Sequence, residues 1–100
     1  MNDEQVASRM TTYRLAALPG DGTGREVMRE ALRVLSVFEE NSPLSFEIKE
    51  IPCGGQYYLE TGEEWPAGSF EYCRDQSDAI LLGAIGWPDA RLPNGDMAGG

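Results

Sequence analysis

The hydrophobic period of this 100-residue chain changes between Leu18 and Gly24, changes back at Leu44, and gives way to an unbroken apolar run at Ala79–Ile85. Tyr13–Leu18 (YRLAAL) is short and apolar, is stopped by Pro19 and Gly20, and reads as a strand despite its alanines. From Gly24, Val27, Ala31, Leu32, Val34, Leu35 and Phe38 recur at helical spacing and are expected to face inward. Arg25, Glu26, Arg29, Glu30, Arg33, Glu39 and Glu40 are left largely outside. Glu26–Arg29 and Glu30–Arg33, one turn apart, support that helix weakly, and Arg29–Arg33 opposes it. Asn41, Ser42 and Pro43 end it.

Leu44–Ile51 (LSFEIKEI) alternates apolar and polar residues, as a strand with one wet face does. Pro52 and Gly54-Gly55 close it. Gln56–Thr61 reads as a short helix stopped by Gly62. Ala67–Gln76 reads as another, with Phe70 and Cys73 facing inward. The seven apolar residues Ala79–Ile85 suit a central parallel strand buried on both faces. The remainder is proline- and glycine-rich loop.

This order is β-α-β-α-β, which implies an α/β fold with a parallel sheet and right-handed crossovers. Residues 1–12 are expected to be a flexible leader, and 13–100 a single unit. A three-stranded parallel unit with open edges, ending in a loop after a central strand, is a poor stopping point for a domain. The expectation is a fragment.

Seventeen acidic against eight basic residues give a net charge of −9, and Lys49 is the single lysine. A surface of this sign repels phosphate backbones, which argues against a nucleic-acid partner. It suits either a high-salt cytoplasm or a GC-rich genome. No apolar run reaches membrane-spanning length. The opening MNDEQVASRMTT lacks the apolar core of a secretory signal, so a cytoplasmic location is expected. Cys53 and Cys73 form no CxxC pair and the chain has no histidine, which leaves two reduced thiols rather than a zinc site.

Gly20, Gly22 and Gly24 in "PGDGTGREV" mark the first strand-to-helix junction. A dinucleotide fingerprint needs G-x-G-x-x-G, and Arg25 stands where its third glycine would be. A P-loop needs a lysine that is absent here. Asp21 inside the turn would repel a pyrophosphate. Two readings remain: a tight structural turn, or a turn edging a ligand pocket at the carboxyl ends of the strands. Gly83–Pro88 (GAIGWP) falls at the same sheet edge. There Trp87 either anchors a turn or closes over a flat ligand such as nicotinamide or adenine. The acidic groups Glu60, Glu63, Glu64 and Glu39, Glu40 read as solvated surface. Asp89 and Asp96 could meet a metal only with help from elsewhere.

LPGDGTGREVMREALRVL, FEIKEIPCGGQYYLETGEEWP and DAILLGAIGWP, in this order, resemble the amino-terminal segment of the β-decarboxylating dehydrogenases. That family includes the 3-isopropylmalate, isocitrate, homoisocitrate and tartrate/D-malate enzymes. The tyrosine pair and E-T-G are most similar to the isopropylmalate branch, and GAIGWPD also resembles the tartrate/D-malate branch. The resemblance implies an isopropylmalate dehydrogenase-like fold, not Rossmann, of which residues 13–100 form the amino-terminal part. It implies NAD-dependent oxidation of a small 2-hydroxy acid and loss of its β-carboxylate. Mg²⁺ or Mn²⁺ would polarise the new carbonyl.

The same resemblance implies a homodimer with shared active sites. It puts Thr23, where the family usually has isoleucine, near the cofactor adenine, and Gly86, Trp87 and Pro88 in the loop against the cofactor. Arg25 replaces a family proline at the helix start. The catalytic tyrosine and lysine, the substrate arginines and the metal aspartates belong to later segments. No catalytic or metal-binding residue is therefore expected in this chain, Arg91 included, and the fragment is expected to be inactive alone. The reading from another class is a non-catalytic nucleotide- or partner-binding module.

Overall fold

The computed structural model of the chain describes residues 11–98. The expected leader lies outside them except at its end. Thr12 already pairs with Ser45, because β1 spans Thr12–Leu18. Helix α1 (Thr23–Asn41) follows, then β2 (Ser45–Glu50), α2 (Gly55–Thr61), α3 (Ser69–Asp75) and β3 (Ala79–Leu82). The three strands form one parallel sheet in the order β2-β1-β3. This is the expected β-α-β-α-β unit.

The middle strand is β1, which explains its small side chains. Ala16 and Ala17 are fully buried, and Leu15 and Leu18 nearly so. Strand alternation sends Ala16 and Leu18 to one face. There they join Ile51 and Cys53 in a cluster, with Trp65, Tyr72, Cys73 and Ile85 packed against it.

The run Ala79–Ile85 departs from expectation. It is an edge strand, not a central one, and it leaves the ladder after Leu82. Ile80 and Leu82 are 52% and 63% exposed. Only β1 flanks β3 among the described residues, so its apolar composition has nothing on the far side to meet. Past Leu82 the Gly83 N–H still donates to Leu18 O at 2.7 Å, and the chain then bends toward the first glycine turn.

The inward stripe of α1 is also different. Gly24 and Met28 are buried, and Ala31, Leu32 and Leu35 are half-buried, while Val27, Val34 and Phe38 are exposed. A three-stranded sheet covers one stripe of a helix, and the residues at 24, 28, 31/32 and 35 make that stripe. Glu39 is not solvated surface as expected. It is half-buried, and its Oε2 accepts the Phe46 N–H at 3.2 Å. Of the two helix ion pairs expected to help, Arg33–Glu30 is formed at 3.1 Å. In α3, Cys73 faces the core as expected, but Phe70 is 54% exposed.

The terminal loop turns back on itself. Arg91 and Met97 form an antiparallel bridge, and the Ala98 N–H donates to Ala90 O at 2.9 Å, burying both alanines. No helix among the described residues is long and apolar enough to cross a membrane.

Candidate functional site

The carboxyl ends of the parallel strands release three turns on one edge of the sheet: 19–22 after β1, 51–54 after β2 and 83–88 after β3. Each carries glycine, and Asp21 joins them. The residue is 4% exposed. Oδ2 accepts the Gly55 N–H at 2.9 Å and the Gly86 N–H at 2.8 Å, and Oδ1 accepts the Gln56 N–H at 2.9 Å. The Asp21 N–H in turn donates to Ala84 O at 2.8 Å.

Asp21 therefore holds donors from the first residues of α2, where the second turn ends, and from the third turn, while sitting in the first. Burial pushes its pKa up. The Gln56, Gly86 and Gly55 N–H donors and the Arg25 guanidinium push it down by more, so it lies below its ordinary value of 3.8.

Two glycines make this approach possible. Gly54 has φ of 105°, and a Cβ there would lie 2.6 Å from Asp21 Oδ2. Gly20 has φ of 78°, and a Cβ there would run into the Ala84 carbonyl. A side chain at either position would separate the turns.

The first turn has no vacant cradle for phosphate. The Gly22 N–H donates to Gln56 Oε1 at 3.1 Å, and the Gly24 and Arg25 N–H groups bond back to Asp21 O and Gly22 O at 2.9 and 3.2 Å. Arg25 is exposed, and its Nε donates to Gly20 O at 3.3 Å. The structure thus gives Asp21 a positive role, as a tie between turns, where the sequence shows only an anion that phosphate would avoid. Sequence pattern does not single out Gln56 at all. The usable signal is the coincidence of an acid between glycines with a further glycine pair after the next strand.

Thr23 opens α1 and is exposed. Its side chain makes no hydrogen bond among the described residues. Gly86 is held by Asp21, as above. Trp87 is half-buried, with its ring 3.8 Å from the Cβ position of Gly22 and its own Cβ close against Gly55. Its backbone carbonyl accepts the Ala90 N–H at 3.0 Å. Pro88 is exposed. Arg91 is spent on the same loop, donating to Pro88 O and Gly95 O at 3.1 and 3.4 Å.

Two clefts open nearby. One, of about 550 Å³, lies between α1 and the β2–α2 connection and is lined by Arg25, Arg29, Arg33, Tyr57 and Glu60. The other, of about 650 Å³, is mostly apolar. None of Thr23, Gly86, Trp87 and Pro88 lines either cleft. Among the described residues, no three of His, Cys, Asp and Glu gather as metal ligands would.

The family model for isocitrate/isopropylmalate dehydrogenase matches residues 14–97. The 3-isopropylmalate dehydrogenase of Buchnera aphidicola subsp. Uroleucon obscurum is 47% identical over 76 residues, which are 76% of this chain and 21% of that protein. The enzyme of the same name from Aquifex aeolicus is 43% identical over 79 residues, covering 79% of this chain and 21% of its own length. The crystal structure of a β-decarboxylating dehydrogenase from Thermococcus kodakarensis in its apo form superposes with a TM-score of 0.60 at 38% identity. That match covers 82% of this chain and 23% of the other. The chain spans about a fifth of the length of the curated relatives it matches.

Proposed function

The chain belongs to the isocitrate/isopropylmalate dehydrogenase family, and from that premise we propose that it is the amino-terminal part of an NAD-dependent 3-isopropylmalate dehydrogenase. The observation that carries the substrate class is the identity of 47% and 43% to two curated enzymes of that name. In this reading residues 13–100 belong to the dehydrogenase domain, and the whole enzyme is a cytoplasmic homodimer. When bound in the whole enzyme, NAD would supply the hydride acceptor for alcohol oxidation and Mg²⁺ or Mn²⁺ a Lewis acid for decarboxylation, and no residue of this chain is assigned to hold the metal.

This chain's contribution is a binding surface. The Gly22 and Gly86 N–H groups are already satisfied, and a buried carboxylate lies between the glycines. That chemistry suits contact with a ring better than the cradling of a pyrophosphate. Thr23 and Pro88 are exposed for such contact, and Trp87 backs the turn. We assign Thr23, Gly86, Trp87 and Pro88 to the cofactor rim. Asp21 orients that rim, because it fixes Gly86 from the residue next to Gly22. No acid, base or metal ligand is assigned to these residues.

The test is NADH or NADPH formation by the protein expressed from the reading frame that carries these residues. It is assayed with 3-isopropylmalate, D-malate, tartrate and isocitrate plus Mg²⁺ or Mn²⁺. The expected outcome is highest kcat/KM for 3-isopropylmalate with NAD. Preference for tartrate, D-malate or isocitrate would move the chain to another branch. Absence of turnover on all four would favour a binding module. The isolated 100 residues are expected to be inactive, and turnover by them alone would contradict the assignment of catalysis to other segments.

A further inference from the structure

Cys53 and Cys73 are both free thiols. They lie on different elements, yet both line the apolar groove of about 650 Å³. Cys53 belongs to the buried cluster that follows β2, and Cys73, from α3, packs against that cluster. We propose that the two form a thiol–disulfide exchange site. Cys73 reacts first with a small disulfide, and Cys53 then resolves the mixed disulfide into an intrachain Cys53–Cys73 bond.

The order follows from access and charge. Cys53 is 5% exposed, whereas Cys73 is half-buried at the groove and can be reached. Burial pushes the Cys53 thiol up, against a backbone hydrogen bond from Gly20, and the negative charge of Asp21 pushes it further. Cys53, deeper in the fold and with its thiol pushed up, is the poorer first attacker.

The step balances without another reactant. The Cys73 thiolate attacks one sulfur of the small disulfide, and its partner leaves as a thiolate. The Cys53 thiolate then attacks the Cys73 sulfur and expels the second. One disulfide is reduced to two thiols, two cysteines are oxidised to one disulfide, and the two cysteine protons pass to the leaving thiolates. Closing the bond needs Cβ atoms about 3.8 Å apart. The seven-residue α3 would have to bring Cys73 to that separation. The bond would tie α3 to the turn that leads into α2, whose Gly55 N–H is held by Asp21.

The purified chain is equilibrated with glutathione and glutathione disulfide at set ratios, natively and in concentrated urea, and mapped by non-reducing peptide mass spectrometry. The expected product joins the Cys53 and Cys73 peptides with a loss of about 2 Da and release of two glutathiones per chain. Its formation constant should be at least about tenfold higher in the native chain than in urea, because folding raises the effective concentration of the pair. Cys53→Ser should accumulate the glutathione adduct on Cys73, and Cys73→Ser should leave Cys53 unreacted over the same time. An adduct on Cys73 that never resolves would overturn the proposal. So would first reaction at Cys53, or equal formation constants in the native chain and in urea.

Discussion

The Asp21 carboxylate accepts the Gly86 N–H at 2.8 Å across 65 positions of sequence, and the same oxygen accepts the Gly55 N–H at 2.9 Å. One buried anion thereby joins the turns that follow all three strands. Hydrogen bonds to a charged acceptor are worth more than neutral ones, and their loss in a buried site leaves donors unpaired.

Asp21→Asn keeps the shape but removes the charge and one acceptor. The expected loss of stability is about 2–4 kcal/mol, read from urea unfolding followed by tryptophan fluorescence. A loss below about 0.5 kcal/mol would show that the three turns hold together without the carboxylate.

Stability should also fall in acid through the same group. The folded pKa of Asp21 lies below its ordinary value of 3.8, so its contribution is complete above that value. It is lost as pH falls through the folded pKa. The melting temperature of the natural chain should therefore drop more steeply than that of Asp21→Asn below about pH 4. Parallel curves would remove Asp21 as the source.

Two glycine substitutions separate backbone strain from crowding. Gly54 and Gly62 both have positive φ, at 105° and 79°, but a Cβ on Gly62 meets nothing within 4 Å, whereas one on Gly54 meets Asp21. Gly62→Ala should cost about 1 kcal/mol, and Gly54→Ala at least about 2 kcal/mol more. Equal costs from chemical denaturation would contradict the close approach of Gly54 to the carboxylate.

Burial should rank the apolar substitutions against what composition suggests. Ile51 is 2% exposed and Leu82 is 63% exposed. Ile51→Ala is expected to cost about 2–5 kcal/mol, and Leu82→Ala less than about 1 kcal/mol. The reverse order would mean that β3 is covered in solution.

The elements are legible in the sequence because their signals are local. The alternation of Leu44–Ile51, the Asn41–Pro43 stop and the apolar β1 run each report on neighbours a few residues away, and each element appears within a few residues of its expected place. The burial of β3 and the inward stripe of α1 differ from expectation because composition records that Ile80, Leu82, Val27 and Phe38 are apolar, not what lies opposite them. The role of Asp21 is hidden for a related reason. Its partners stand 34, 35 and 65 positions away, and no local pattern reports a contact of that span. The rim residues Thr23 and Gly86–Pro88 come from the family resemblance, and the geometry adds the carboxylate that fixes Gly86.

Titration of the Asp21 side-chain carboxyl by carbon-detected NMR, together with the Gly55, Gln56 and Gly86 amide protons, tests most directly whether one carboxylate holds the three turns. The expected result is a carboxyl midpoint below 3.8, with all three amide signals moving at that same midpoint. A midpoint at or above the ordinary value, or amides that titrate independently of it, would contradict the tie on which the proposed cofactor rim rests.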